Sequence, residues 1–192
     1  MIYLNITEWT EKYISLNKIV SSEFFKLETL PSYNDYGIYD WDKISNIDML
    51  KLIVKAQNSI QEGADAIREQ INNGVNITRV RFFTFPLSKY ILRQFSVYKI
   101  YEDLGVNIQI FEEPNYRELF DLNYFRDFLL FDNKYLLLID NPNGCFNGGF
   151  YSEDQEEISN FIKIKKTLEN KTIALKTYLT NFNIVNPVLI DN

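Results

Sequence analysis

Two arginines and four aspartates carry most of the chemistry available to this sequence. Arg79 and Arg81 alternate with Val80 and Phe82 in the segment Ile77-Thr78-Arg79-Val80-Arg81-Phe82-Phe83-Thr84. Alternation along a strand puts both guanidiniums on one face, where planar forked donors suit a phosphate or a carboxylate. Internal pairing with Glu112, Glu113 or Asp127 is the competing use of the same charges. Asp121, Asp127, Asp132 and Asp140 could hold Mg²⁺ with oxygen ligands alone. Their spacing matches no two-metal motif, and the turn contexts of Asp132 and Asp140 explain those two locally.

What the chain lacks narrows the field further. It has no histidine and one cysteine. That removes histidine triads, histidine general bases, histidine metal ligands and phosphohistidine intermediates. Cys145 lies in Asn143-Gly144-Cys145-Phe146 with no base nearby in sequence, and is read as a small strand residue. A single cysteine forms no internal disulfide, which suits a reducing compartment. There is neither a G-x-x-x-x-G-K-[ST] loop nor a G-x-G-x-x-G turn; Gly144, Gly148 and Gly149 belong to a β-turn region. No cofactor is implied.

Twenty basic side chains face 26 acidic ones for a net charge of −6, the wrong sign for unaided binding of nucleic acid through its phosphates. The 15 Phe and 13 Tyr offer stacking surface for bases, but most fall at core spacing. Met1-Ile2-Tyr3-Leu4-Asn5 lacks the basic and apolar regions of a signal peptide. Phe128 to Ile139 is interrupted by Asp132, Asn133 and Lys134, so no run approaches a membrane span. The expected location is cytoplasmic. Richness in Asn, Ile, Lys and Tyr points to an AT-rich bacterial or phage genome.

The elements that must position these residues follow from periodicity. Residues 7–19 form a helix capped by Thr7, with Trp9, Tyr13, Leu16 and Ile19 inward. Glu23 to Glu28 is a strand, followed by a loop with Pro31, Asn34, Asp35 and Gly37 that carries Tyr33, Tyr36, Tyr39 and Trp41. Such a loop packs over the core or forms a binding lip. Asp48 to Asn72 is helical, with Leu50, Ile53, Val54, Ile60, Ala64, Ile67 and Ile71 on one face and a break allowed at Gly63. Strand 77–84, a helix opened by Pro86 and ended by Gly105, and strand 106–111 make a βαβ unit with parallel strands. Asn107 and Gln109 extend the polar face begun by Arg79 and Arg81. Phe128 to Phe131 and Tyr135 to Ile139 flank a hairpin turn at Asp132-Asn133-Lys134. A strand through Phe150-Tyr151 leads to a long last helix capped by Ser152 with Gln155.

Several of these segments resemble a known family in order and spacing: Glu23-Phe24-Phe25-Lys26-Leu27-Glu28 with Tyr33, Arg79-Val80-Arg81, Pro86-Leu87-Ser88-Lys89-Tyr90, Gly105-Val106-Asn107-Ile108 and Asp127-Phe128-Leu129-Leu130-Phe131-Asp132. The family is a bacterial domain of unknown function, common in actinobacteria and often encoded beside helix-turn-helix regulators. The resemblance covers roughly residues 22–180. That family is similar in turn to a degenerate phospholipase D superfamily. With Asp132 at the aspartate of H-x-K-x4-D, the resemblance puts Asp127 at the lysine position and Phe125 at the histidine position. Phenylalanine cannot attack phosphorus and aspartate repels a phosphodiester, so the resemblance implies an inherited fold without the reaction.

The reading is therefore a single α/β domain over residues 1–192, with an N-terminal helix to residue 21, a core from 22 to 152 and a C-terminal helix over 153–180. Its sheet is mixed, a parallel βαβ unit plus an antiparallel meander, phospholipase D-like, with helices on at least one face. The expected function is non-enzymatic, a cytoplasmic binding or regulatory protein whose partner is another protein. Alternatives are a phage or mobile-element inhibitor of a host defence nuclease complex and a carboxylate-held Mg²⁺ nuclease or phosphoesterase. Ligands of open α/β sheets collect beyond the carboxyl ends of parallel strands. That places binding at Thr84, Phe85, Ser88, Glu112 and Glu113, with Phe125 and Asp127 facing the same region. Lys89 and Arg93 add positive charge one turn apart; as surface sites they could be truncated at a cost within about 0.5 kcal/mol.

Overall fold

The computed structural model describes residues 1–34 and 40–182. Asp35, Tyr36, Gly37 and Tyr39 of the expected aromatic loop lie outside the described residues. Eight strands form one mixed sheet in the order β1-β7-β6-β5-β2-β3-β4-β8. They are β1 (Ile2–Leu4), β2 (Glu23–Glu28), β3 (Asn76–Phe83), β4 (Asn107–Glu112), β5 (Phe128–Phe131), β6 (Tyr135–Ile139), β7 (Gly149–Ser152) and β8 (Ile173–Ala174). The helices are α1 (Ile6–Ile19), α2 (Asn46–Asn72), α3 (Lys89–Asp103), α4 (Tyr116–Leu119), α5 (Gln155–Glu169) and α6 (Leu175–Asn181). None is long and apolar enough to cross a membrane.

The expected βαβ unit is present: β3 and β4 pair in parallel across α3. A second parallel pair, β2 with β3, is joined through α2. β5, β6, β7 and β1 add the antiparallel meander. Helices cover both faces. One core gathers Trp9 and Leu16 of α1, Met49 and Ile53 of α2, and Phe95 and Tyr98 of α3 against Phe24, Ile77, Ile108 and Leu129. The opposite core packs Ile158, Phe161, Ile164 and Leu168 of α5 against Phe25, Leu27, Val80, Phe128 and Leu136. Period-two alternation on the central strands therefore meets apolar cover on both sides.

Several local expectations are corrected. α1 begins at Ile6 because Asn5, not Thr7, caps it; the Asn5 side chain accepts from Thr7 N and Glu8 N, and Glu8 reaches back to Asn5 N. Ile19 is exposed, as are Leu50 and Val54 on α2. α2 runs unbroken through Gly63, which makes no close approach to anything. Pro86 does not open α3: it follows a cis peptide bond, and Ser88 caps the helix by accepting from Ile91 N. Asp154 rather than Ser152 caps α5, accepting from Glu156 N and Glu157 N. The long C-terminal helix is two helices, because Asn170 ends α5 and β8 adds to the β4 edge before α6. Cys145 is exposed in the loop before β7, not in a strand.

Both ends of β5 are tied to β2 through a carboxylate. Asp132, in the left-handed first position of the β5–β6 turn, accepts from the backbone N–H groups of Ser21, Ser22 and Glu23 and from both serine hydroxyls. These bonds outweigh the upward effect of partial burial and draw its carboxyl down to about 2. Asp127, just before β5, accepts from Thr29 N and Thr29 Oγ1, each at 2.7 Å.

Candidate functional site

The polar face expected on β3 and β4 is split by the actual register. Arg79 lies opposite Ile108 and Arg81 opposite Ile110, whereas Gln109 lies opposite Val80. Asn107 and Gln109 thus join Thr78 on the other side of the sheet, where Asn107 Nδ2 donates to Thr78 Oγ1. The arginines instead share their face with two charged residues of β2: Lys26 opposes Arg79 and Glu28 opposes Arg81. This face is not solvated. α2 and α3 cover it, leaving Arg81 1% and Glu28 6% exposed.

Glu28 organises the cluster. Its carboxylate accepts from Lys26 Nζ at 3.0 Å, Arg79 Nη2 at 3.2 Å and Tyr98 Oη at 2.8 Å. Burial pushes its pKa up, but Arg79, Lys26, Arg81 and the Tyr98 hydroxyl together hold it well below the usual carboxylate range. Arg79 stacks against the Tyr101 ring, 4.5 Å from its centroid. Arg81 lies between the Tyr33 and Tyr90 rings and donates to Leu30 O. The Tyr33 hydroxyl donates to Asp127, linking it to Arg81. Burial, then the charge of Asp127, raises the Tyr33 pKa well above its ordinary value. The internal partner of Arg79 is thus Glu28, whereas Arg81 bonds to Leu30 O and the Tyr33 hydroxyl; Glu112 and Glu113 bond elsewhere.

A cavity of about 380 Å³ opens over this cluster, walled by Lys26, Glu28, Tyr33, Arg79, Arg93 and Asp127. That volume is in the range of small-molecule sites, roughly 300–1,000 Å³. It lies at the carboxyl end of β2, where the strand directions change between parallel β3 and antiparallel β5, the position the crevice rule favours. The charged residues of the cavity wall are Lys26, Arg79, Arg93, Glu28 and Asp127, with Arg81 buried behind it. The Nε atoms of Arg79 and Arg81 are buried without a hydrogen-bond acceptor. Such donors cost free energy unless something accepts from them.

Of the residues anticipated for binding, the structure brings Arg93 and Asp127 to this cavity. Arg93 is buried and lies over the Trp41 ring, so it is no surface charge. Lys89 donates to the carbonyls of Asp42 and Ile44. Ser88 serves as the cap of α3, and Thr84 and Phe85 are exposed beyond β3. Glu112 accepts from Tyr178 Oη and Glu113 from Asn115 N. Phe125 is buried on the opposite face, stacked on Phe120 at 4.5 Å, and does not face Asp127's site. Asp127 and Asp132 stand at opposite ends of β5, so the three positions aligned to H-x-K-x4-D do not converge. Asp121 turns back on Asn123 N and Asp140 pairs with Asn147. Among the described residues, no group of three or more Asp, Glu or Cys side chains is placed to hold a metal ion.

Lys26, Glu28 and Tyr33 were not singled out as site residues from sequence. The available signal was a local conflict: in Glu23 to Glu28, Lys26 and Glu28 share the face of Phe24, a core position.

Comparison with curated proteins yields no match. Among solved structures, an archaeal chromatin protein, TrmBL2, described as showing a novel mode of DNA binding, is similar at 11% identity and a TM-score of 0.48. The similarity covers 89% of this chain and 52% of that one, so this chain spans about half its length. That likeness carries no argument about ligand or partner. The family described as a domain of unknown function, DUF6879, matches residues 12–180. The chain belongs to the DUF6879 family.

Proposed function

We propose that this protein is a non-enzymatic binding protein that takes a small anionic ligand in the cavity over Lys26, Glu28 and Arg79. The observation that carries this reading is that the partly exposed Lys26 and Arg79 side chains converge on the wall of that cavity. A chain of net charge −6 gains nothing in solubility from placing cations where water is largely excluded, whereas an anion would satisfy them. The phospholipase D-like scaffold is part of the same proposal: its layering is used to build a site while the reactive histidine and lysine positions carry Phe125 and Asp127.

Thermal unfolding with acetate, butyrate and inorganic phosphate tests the proposal. The unaltered chain is expected to gain stability with anion concentration, as any ligand of the native state requires. Arg79→Lys, which keeps the charge but loses the fork, should bind at least about tenfold more weakly. Absence of any anion effect beyond that of ionic strength would overturn the reading. A regulatory role implies a protein partner, and co-purification of one stoichiometric host protein in an anion-dependent manner is the measurement for it.

A further inference from the structure

The surroundings of Arg79 fix the plane of its guanidinium. Glu28 accepts from Nη2 with both carboxylate oxygens, each at 3.2 Å. Two rings of α3 face the same group: the Arg79 Cζ lies 4.5 Å from the centroid of Tyr101 and 5.5 Å from that of Tyr98. The two tyrosines are three positions apart, the spacing that brings side chains together on one face of a helix. Tyr98 is 1% exposed and bonds to Glu28 through its hydroxyl, so it restrains the carboxylate as well. Tyr101 is partly buried and forms part of the cavity wall. The other cation beside Glu28, Lys26, ends in an ammonium that has no plane to fix.

We infer that Tyr101 is a positioning residue of the anion site: its ring, backed by Tyr98, holds the Arg79 guanidinium in one orientation before the ligand arrives. Recognition at this wall then depends on the direction of the fork and not on charge alone. This rests on the anion-binding reading above and adds the residue that orients its arginine. A guanidinium donates only in its own plane. A long side chain that is free to turn must be immobilised when the ligand binds, and prior immobilisation spares that cost. A ring suits the task because it stacks on the face of the guanidinium and leaves the edge, where the N–H groups point, unobstructed. A second carboxylate in place of Tyr101 would hold Arg79 as firmly but would consume those same N–H groups.

The experiment measures the affinity for inorganic phosphate and for acetate by calorimetry. It compares the unaltered chain with Tyr101→Phe and Tyr101→Leu, each also combined with Arg79→Lys. Tyr101→Phe keeps the ring and should bind within about twofold of the unaltered chain. Tyr101→Leu loses the ring and should weaken both anions by about five- to tenfold. In the Arg79→Lys background the same change should cost less than about twofold, because no plane remains to be set. In the unaltered, ligand-free chain the two Nη groups of Arg79 should give separate NMR signals, marking restricted rotation about the Nε–Cζ bond.

No anion binding by the unaltered chain would overturn the anion site itself. Binding that Tyr101→Leu leaves unchanged would overturn the positioning role alone, as would an equal loss in the Arg79→Lys background. A loss in Tyr101→Phe as large as that in Tyr101→Leu would assign the hydroxyl rather than the ring and overturn the inference. Should Tyr101→Leu not fold, Tyr101→Met takes its place, and averaged Nη signals in the unaltered chain would overturn the inference on their own.

Discussion

Lys26 and Arg79 stand directly opposite one another in the parallel register of β2 and β3, and Glu28 bonds to both. Like charges so placed repel, and the carboxylate between them offsets that repulsion. Glu28→Gln preserves shape and removes the charge, leaving the cations uncompensated in a buried site. The expected cost is about 3 kcal/mol in denaturant-induced unfolding, reduced by added anion. A variant as stable as the parent would show that Glu28 is not what holds the pair together.

Asp132 gives the clearest pH dependence. Its folded pKa, about 2, lies below the unfolded value of about 3.9. Its contribution is therefore complete above the unfolded pKa and is lost as pH falls from about 4 through about 2. Asp132→Asn should lower stability at neutral pH and make unfolding less sensitive to pH across that window. An unchanged acid-unfolding profile in the variant would assign the transition to other carboxylates.

Gly149 tests the packing of Trp9, which walls the cavity. A Cβ at this position would fall 1.9 Å from Leu138 O and 3.0 Å from Trp9 Nε1, the two atoms that hydrogen-bond to one another. Backbone cannot yield as a side chain tip does, so Gly149→Ala should cost about 3 kcal/mol or more and shift Trp9 fluorescence. Normal melting with normal fluorescence would contradict the packing described here.

Lys89 and Arg93 separate an interaction with backbone carbonyls from a buried charge. Lys89→Ala loses two bonds to loop carbonyls and should cost about 1 kcal/mol. Arg93→Ala opens space under Trp41 at a buried position and should cost about 2–3 kcal/mol. Thermal unfolding of the single variants checks the order; equal and negligible effects would restore the surface reading.

The βαβ unit, the β5–β6 hairpin and the stops at Gly74 and Gly105 were legible because each rests on local chemistry. Strong periodicity marks the elements, and both glycines take positive φ. β1 and β8 were not legible, since three and two residues are too few to display a period. The site was half legible. Arg79 and Arg81 announced themselves by alternation, and Asp127 and Arg93 were named, but the cluster depends on the pairing of β2 with β3. Register between strands separated by a 27-residue helix is a tertiary fact. Without it, Asn107 and Gln109 were assigned to the arginines' face and Lys26 and Glu28 were overlooked.

The two aspartates at the ends of β5 bear on how reliably the chain finds this arrangement. A four-residue strand of Phe-Leu-Leu-Phe is apolar on both faces and would tolerate a shift against β2 nearly as well as its proper alignment. Sliding by one residue would invert the facing of the side chains. Asp127 and Asp132 each recognise N–H groups at one end of β2, and any shift breaks both sets of bonds together. They act as a vernier, rejecting misaligned pairings that greasy side chains alone could not tell apart. Part of the acidity of this chain is thus spent on accuracy of assembly.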